Sequence, residues 1–419
     1  MELEKGLQSY ESVTVHNSLF RSKPFIFLWL ASAFSSMAFS IYLTTESWFV
    51  VDGLNLKVWL GIIMMMTTLP RVIFMMFGGV LADRGKRSQV LFIVNLIRGS
   101  IIFSLALLLY LNIMNIWMLA IFAFCFGVLD AFFWPASNSL IPAIISKEQI
   151  TRANSIMQTT NQMTFLIAPA IAGFMMKFRS FEETFALAGI LLLASALLVR
   201  NMNEEASEGA SKKENDKTFF HDLKEGIIYV KGIPYLLVTM GTTVVVNLFL
   251  VGPMNIGLPI LVKDFLKGDA LVLSYLESSL AIGMISGAIL IGILNLRKKR
   301  AVTSLSLVFA LGLLCACLSQ INSLWQGISI LIVSGFCLSI SNIISPSLTQ
   351  ELVDPKMMGR VQSLMATSSA GLAPLSFAIV SSLLSFNIAI SHIMLISCSI
   401  MSLFVLFVLL KVKIVWTIN

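Results

Sequence analysis

Five ionisable side chains lie inside long apolar stretches of the sequence, where a charge is costly and therefore informative. They are Glu46, Arg71, Arg98, Asp130 and Glu277. An ionised side chain at the centre of a bilayer costs about 2.5 to 3.5 kcal/mol, so such residues normally face the interior of a helix bundle and have partners there. We therefore take these five residues as the candidates for proton or substrate coupling.

Arg71, Arg98 and Asp130 fall at a similar depth in their apolar stretches. Counted from the outer ends, they lie about 18 to 21 Å in, at a helical rise of about 1.5 Å per residue. One carboxylate beside two cations is typical of a structural ion pair. The alternative is that Asp130 gains and loses a proton during the exchange of substrate for protons.

Glu46 and Glu277 lie nearer the outer ends of their stretches. Glu46 is close in sequence to Tyr42 and Trp48. A carboxylate beside aromatic rings suits attraction of a cationic or amphiphilic substrate, or uptake of a proton. For Glu277, the alternative is that the side chain simply reaches the outer membrane interface.

The composition shows which elements hold these residues. Of 419 residues, 57% are hydrophobic and 12% are charged, whereas soluble domains carry about 25% charged residues. The apolar residues recur in blocks of about 20, the length that crosses a bilayer core of about 30 Å. The sequence therefore predicts an all-α membrane protein.

Twelve apolar stretches, numbered here as spans 1 to 12, are bounded by charged residues, Gly or Pro. They begin near Pro24, Lys57, Ser88, Ile116, Arg152, Glu182, Ile233, Ala270, Ala301, Leu324, Met358 and Asn387. With the N-terminus inside, 22 Lys and Arg residues fall in inner segments, 5 in outer loops and 2 within spans, which completes the 29. This bias predicts that both termini are cytoplasmic.

The composition also excludes several classes of protein. The net charge of +7 (29 minus 22) comes from basic residues in short loops, so we expect no nucleic-acid partner. The five cysteines lie in apolar stretches without metal-ligand spacing, and we expect no metal site and no cofactor. No phosphate-binding loop and no catalytic cluster are visible, which predicts that the chain is not an enzyme and does not use ATP directly.

One long polar interruption divides the spans into two sets of six. We predict a cytoplasmic N-terminal segment over residues 1–23, a six-helix half over 24–200, a linker over 201–231, a second half over 232–411 and a tail over 412–419. Residues 219–230 have apolar side chains near helical spacing, which predicts a surface helix. Its role is to tether the halves or, alternatively, to bind a partner.

The two halves repeat a sequence pattern where their fourth and fifth spans meet. Pro135, Arg152 and Pro169 in the first half correspond to Pro346, Arg360 and Pro374 in the second. Parallel six-helix halves related by an axis along the membrane normal are known from secondary transporters. The repeat predicts two pseudo-symmetric halves with a substrate site between them.

The loop between spans 2 and 3 carries the most specific motif. It reads Gly78-Gly79-Val80-Leu81-Ala82-Asp83-Arg84-Gly85-Lys86-Arg87 and resembles the signature loop of the major facilitator superfamily. The alternative is a generic basic inner loop. The resemblance implies a conformational latch that contacts the start of span 11, formed by Gly79, Leu81, Asp83, Arg84, Arg87 and Arg360. It also implies that span 3 lies outside the cavity, which favours Arg98 as the partner of Asp130.

Span 5 carries Ala168-Pro169-Ala170-Ile171-Ala172-Gly173. This is similar to the Gly-Pro motif of exporters in the same superfamily, although alanines stand where two glycines are usual. Pro169 and Gly173 could serve a helix bend in an exporter, or ordinary close packing. Together with the segments around Arg152 and Arg360, the chain resembles the third drug:proton antiporter group.

The resemblance implies a monomeric secondary transporter of a bacterial plasma membrane that couples proton entry to efflux of amphiphilic small molecules, such as drugs, macrolide-like antibiotics or siderophores. Its partners would be the lipid bilayer, the substrate and protons. The alternatives are proton-coupled uptake and, from a different class, a non-transporting membrane sensor or a lipid-handling membrane protein.

Overall fold

The computed structural model describes residues 19–84, 86–146, 149–200, 202, 219–294, 298–354 and 357–417. Twelve long helical segments form spans 1 to 12. They are Lys23–Gly53, Leu60–Arg84, Arg87–Tyr110, Ile116–Ile144, Ile150–Phe178, Phe181–Arg200, Pro234–Asp264, Ala270–Leu294, Arg300–Leu318, Leu324–Leu352, Met358–Ser385 and Ile390–Lys411. The fold predicted from the sequence, twelve membrane helices, is confirmed.

Eleven of these segments are long and apolar enough to cross a membrane by composition alone. Span 5 has the length, with 29 residues, but it is more polar. Its first half exposes Asn154, Ser155 and Gln158, while Ala168 and Ala172 near its other end are buried. A span that lines a water-filled cavity can carry such residues because they do not face lipid.

The observed starts of the spans differ from the predicted starts by at most three residues. Spans 2 and 12 differ most, by three residues each. Span 2 is expected near Lys57 and begins at Leu60, and span 12 is expected near Asn387 and begins at Ile390. Asn387 has a φ of 61°, a left-handed conformation that Asn tolerates better than most residues. It therefore belongs to the turn between spans 11 and 12.

The two halves have the same internal packing. In the first half span 1 packs on spans 5 and 6, span 2 on span 4, and span 3 on spans 4 and 6. In the second half span 7 packs on spans 11 and 12, span 8 on span 10, and span 9 on spans 10 and 12. Adding six to each number converts one set into the other, which confirms two pseudo-symmetric six-helix halves.

Contacts between the halves follow the same symmetry, with span 5 against span 8 and span 11 against span 2. Span 11 is broken near Gly371, and its two pieces have different neighbours. Both pieces pack on span 7, but Ala373–Ser385 also packs on span 2, whereas Met358–Ala370 also packs on the linker helix Phe219–Gly232. We call the end of the bundle that carries this helix the linker end, and the opposite end the far end.

The halves are closed against each other at the far end. A Cβ on Gly61 of span 2 would lie 2.5 Å from the Phe377 carbonyl oxygen of span 11, and one on Gly173 of span 5 would lie 2.3 Å from Ser274 Oγ of span 8. At the linker end, spans 5 and 11 instead expose polar side chains, Asn154 and its repeat counterpart Gln362 among them. The protein therefore has a central cleft that opens toward the linker end.

The linker helix is held against the second half. Glu225 Oε2 lies 2.8 Å from Arg360 Nη1, and the Tyr229 hydroxyl accepts a hydrogen bond from the Asp354 amide at 2.9 Å. Gly226 packs closely, since a Cβ there would lie 3.1 Å from Leu364. These contacts fix the linker helix to the start of span 11.

Candidate functional site

The structure brings together the three charged residues predicted to share a layer. Asp130 on span 4 lies between two guanidinium groups, with Oδ1 3.0 Å from Arg98 Nη2 and Oδ2 3.2 Å from Arg71 Nε. Asp130 and Arg98 are 2% and 1% exposed. Asp130 thus has a cation on each of its two oxygens.

Arg98 is enclosed by partners within the first half. Its Nη1 donates to Ser35 Oγ at 3.3 Å and lies 3.5 Å from Asn95 Oδ1. Its guanidinium lies over the rings of Phe126 and Phe133, with Cζ 4.5 and 5.4 Å from the ring centroids. A buried charge is tolerated when it is paired and hydrogen-bonded in this way, and the Arg98–Asp130 pair ties spans 1, 3 and 4 together.

The Arg71 side chain is 35% exposed, unlike the other two members of the cluster. Its Cζ lies 5.8 Å from the ring centroid of Phe39. Two cations and one carboxylate leave the cluster with a formal charge of +1. Because Arg98 is enclosed, the accessible part of that charge is on Arg71.

Glu46 on span 1 lies in a different environment. It is 0% exposed, and its Oε1 accepts a hydrogen bond of 2.5 Å from the Tyr42 hydroxyl. Among the described residues Glu46 has no ion-pair partner, and its Oε2 has no hydrogen-bond partner. The Tyr42 ring stacks on Phe126 with centroids 4.4 Å apart, so this carboxyl lies in an aromatic pocket without a counter-charge.

Glu277 on span 8 connects the two halves. Its Oε2 accepts a hydrogen bond from Thr44 Oγ1 of span 1 at 2.8 Å. Thr44 is two residues before Glu46, and residues two apart in a helix lie on different faces. The structure therefore places Glu277 beside span 1 but gives it a partner other than Glu46.

The motif loop is described in part. The backbone of Gly79, Leu81, Asp83 and Arg84 forms the last turns of span 2, but their side chains lie outside the described residues. Arg87 begins span 3. The side chain of Arg360, the predicted contact of this loop on span 11, forms the ion pair with Glu225 of the linker helix.

The small-residue motif of span 5 lies at the contact between the halves. Pro169 lies inside the helix, and Ala168, Ala172 and Gly173 are buried. The space next to Gly173 is occupied by Ser274 and by the Ala270 carbonyl oxygen, which a Cβ on Gly173 would approach to 2.7 Å. The motif therefore gives span 5 a close approach to span 8 at the far end.

Sequence reasoning missed a set of ion pairs that close the far end. Lys57 pairs with Asp264, Lys263 pairs with Asp52, and Lys177 Nζ lies 2.9 Å from Asp269 Oδ2. Each joins the first half to the second. The lysines lie at the far ends of their spans and each half also has acidic residues there, which is the signal that could have indicated these pairs.

Asp269 precedes span 8 and is the best-defined of these acids. Partial burial opposes its ionisation, but the hydrogen bond from Lys177 and those from the amides of Val272 and Leu271 prevail and hold the pKa of Asp269 below its usual value. These bonds stabilise the charged form of the carboxyl. The Asp269 carboxyl is therefore ionised at neutral pH.

Comparisons with known proteins agree with this architecture. A model of the Major Facilitator Superfamily matches residues 28–378. Macrolide efflux protein A of Streptococcus pyogenes is 23% identical over 383 residues, which are 89% of this chain and 92% of that protein.

Solved structures show the same fold at low identity. The nucleoside transporter NupG superposes with a TM-score of 0.69 at 13% identity, covering 92% of this chain and 98% of that one. A bacterial homologue of the human lysosomal transporter Spinster, in an inward-facing and occupied conformation, gives a TM-score of 0.69 at 13% identity, covering 95% and 97%. Family and fold are those of membrane transporters rather than enzymes. The chain belongs to the major facilitator superfamily.

Proposed function

We propose that this transporter exports amphiphilic small molecules from a bacterial cell in exchange for protons, with its linker end in the cytoplasm of a plasma-membrane protein. The 22 to 5 distribution of basic residues supports this orientation. The cleft would then receive substrate from the cytoplasm or the inner leaflet. A relative named for macrolide efflux supports export over uptake.

Glu46 carries the proposal of proton coupling. A lone carboxylate buried without a cation is costly, and the protonated form avoids that cost. Tyr42 provides one hydrogen bond, and the second oxygen of Glu46 has no partner among the described residues. Glu46 is therefore neutral while the far end is closed, and it releases its proton when water or a cationic substrate reaches it.

Asp130 has the opposite setting. Each of its two oxygens faces a guanidinium group, and replacing it by a neutral residue would leave two cations without a counter-charge in the same layer. We assign Asp130 and Arg98 to the structure of the first half. Arg71, which is partly exposed, is available to the cleft and can contact an anionic or electron-rich part of the substrate.

The contacts between the halves define the transport cycle that we propose. To release substrate outside, the far-end ion pairs and the Thr44–Glu277 hydrogen bond must break while the linker end closes. Glu277 would then be exposed to the outer solution and could accept a proton. We assign Asp83, Arg84 and Arg87, together with Gly79 and Leu81, to a latch with span 11 at the linker end, where Arg360 already binds Glu225.

The proposal is tested with purified protein in proteoliposomes. An imposed proton gradient should drive a macrolide, or a fluorescent amphiphilic cation, toward the side from which protons flow, and dissipating the gradient with a protonophore should stop net transport. A gradient that drives the same compounds in the direction of proton flow would instead establish uptake. Equal rates with and without the gradient would refute proton coupling.

A further inference from the structure

Arg71 on span 2 is the accessible cation of the charged layer, and only one side of its guanidinium has a partner. Its Nε lies 3.2 Å from Asp130 Oδ2, and its Cζ lies 5.8 Å from the ring centroid of Phe39. No hydrogen bond from its terminal nitrogens, Nη1 and Nη2, is present among the described residues, and neither nitrogen is fully buried. The terminal fork of the guanidinium is therefore available to a ligand.

The position of Arg71 on span 2 indicates that this fork points to the cleft rather than to lipid. Leu69 and Ile73 are 39% and 52% exposed, and apolar side chains of that exposure suit contact with lipid. Arg71 lies two residues from each, which is about 200° around the helix. A cation at this depth is costly in lipid and normally faces the interior of the bundle. Met75, one turn after Arg71, is also exposed, so this side of span 2 carries a cation next to an apolar side chain.

The charges around the cleft favour an anion over a cation. The cluster of Arg71, Arg98 and Asp130 has a formal charge of +1, and its carboxylate is 2% exposed with a guanidinium beside each oxygen. Of the other two candidate carboxyls, Glu46 is 0% exposed and Glu277 is hydrogen-bonded at the contact between the halves. An amphiphile that enters from the linker end therefore meets an accessible cation in this layer, whereas these three carboxyls are enclosed or already have a partner.

The geometry of the available fork defines the ligand that fits it. The two terminal nitrogens of a guanidinium present parallel N–H groups that match the two oxygens of a carboxylate. Asp130 beside Nε and the Phe39 ring beside the guanidinium restrict the Arg71 side chain, so little conformational freedom is lost when a ligand binds. A neutral head group would form weaker hydrogen bonds with the same N–H groups, and an ammonium group would be repelled.

We propose that Arg71 forms an oxyanion subsite of the cleft, which binds the carboxylate of an amphiphilic substrate while the apolar part of that substrate contacts Met75. Amphiphiles that carry a carboxylate are thus a substrate class of this transporter. The proposal rests on the proposed function, because a transported compound is what would occupy the cleft. The same N–H groups also fit the phosphate of a lipid headgroup, and the test separates the two sources.

The test measures binding with no gradient and no transport. It uses the full chain in phosphatidylcholine nanodiscs, with Met75→Cys as a reporter one turn from Arg71 and with Cys125 and Cys317 replaced by Ala; the remaining cysteines are buried. The rate of alkylation by iodoacetamide, an uncharged reagent, is measured at mildly alkaline pH, where a carboxylate is ionised. Octanoate, octanamide and octylammonium share one chain and differ in head group. We expect saturable protection by octanoate, and much weaker protection by the other two.

Arg71→Gln removes the charge and keeps a polar side chain. It should raise the half-protecting octanoate concentration by about tenfold to a hundredfold, the usual effect of losing a hydrogen bond to a charged group, and leave the value for octanamide unchanged. Arg71→Lys keeps the charge without the fork and should give an intermediate value, which also tests the proposal if the Gln variant folds poorly. Arg179→Gln is the matched control, since Arg179 is an exposed arginine at the far end, and it should protect as the parent does.

Octanamide or octylammonium that protects as well as octanoate would overturn the oxyanion subsite, as would octanoate protection that both Arg71 variants leave unchanged. Replacing part of the phosphatidylcholine by phosphatidylglycerol tests the second source. If this raises the half-protecting octanoate concentration in the parent but not in Arg71→Gln, a lipid headgroup occupies the site and the assignment to a transported carboxylate is wrong. None of these results depends on a proton gradient, so failure of the subsite is distinguishable from failure of proton-coupled efflux.

Discussion

Neutralising Asp130 should destabilise the protein, and neutralising Arg98 in addition should restore much of the loss. Asp130→Asn leaves Arg98, only 1% exposed, and Arg71 without their shared carboxylate. Removing one partner of a buried ion pair costs about 3 to 5 kcal/mol. For a folding unit the size of one six-helix half, each kcal/mol shifts the melting temperature by about 2 to 4 °C, so it should fall by about 6 to 20 °C.

The double variant Arg98→Gln with Asp130→Asn leaves two amides that can hydrogen-bond to each other and to Ser35 and Asn95. It should regain most of the lost stability. Arg71→Gln is the control: Asp130 keeps its pair with Arg98, and the pair that is lost is partly solvated because Arg71 is 35% exposed, so the loss should be about 1 kcal/mol or less.

The assay is thermal unfolding of detergent-purified protein, followed by the retention of monomer after heating, with expression level as a second readout. A stable Asp130→Asn protein that has lost only proton-driven transport would refute the structural assignment and make Asp130 the titrating group. An unstable Asp130→Asn protein that Arg98→Gln fails to rescue would contradict both assignments of Asp130, and Arg71 would become the partner to test.

Three further results are expected. Gly173→Ala should hinder closure of the far end, because its Cβ would lie 2.3 Å from a span 8 hydroxyl, and should increase labelling of far-end cysteines by an impermeant reagent; unchanged labelling would contradict the close approach. Acid should weaken the far-end closure, since the pKa of Asp269 is held low by Lys177 and its stabilising contribution is lost as pH falls through that value; Asp269→Asn should abolish this part of the pH dependence of labelling. Arg360→Gln should release the linker helix from Glu225 and speed proteolysis of the linker, whereas equal cleavage rates would argue against docking.

Much of the fold could be predicted from the sequence because membrane spans are local features. Apolar runs of about 20 residues are visible within a short window of sequence, and the basic residues between them indicate how the helices are oriented across the membrane. Span 5 shows the limit of this approach. Asn154, Ser155 and Gln158 make it polar because it lines the cleft, and only the boundaries of its neighbours indicate that it is a span.

The charged layer was partly predictable for the same reason. Depth along each span placed Arg71, Arg98 and Asp130 together, but depth carries no information on rotation about the helix axis. That rotation encloses Arg98 under Phe126 and leaves Arg71 partly exposed. The side-chain environments, and with them the proposed roles, follow from packing.

The contacts between the halves could not be predicted from local pattern. Lys57 and Asp264 are 207 residues apart in sequence, and Lys263 and Asp52 are 211 apart. Each pair forms only when the two halves meet at the far end.

The central claim is tested most directly by asking whether the Glu46→Gln variant still moves protons when it transports substrate. Gln keeps the size and hydrogen bonding of the side chain but cannot carry a proton, and Glu183→Gln, an exposed carboxyl at the far end, is the matched control. In proteoliposomes with a pH-sensitive dye inside, adding substrate should produce a pH change with the parent and with Glu183→Gln. With Glu46→Gln that change should be absent while substrate exchange without a gradient persists. A substrate-dependent pH change of normal size in Glu46→Gln would contradict the account.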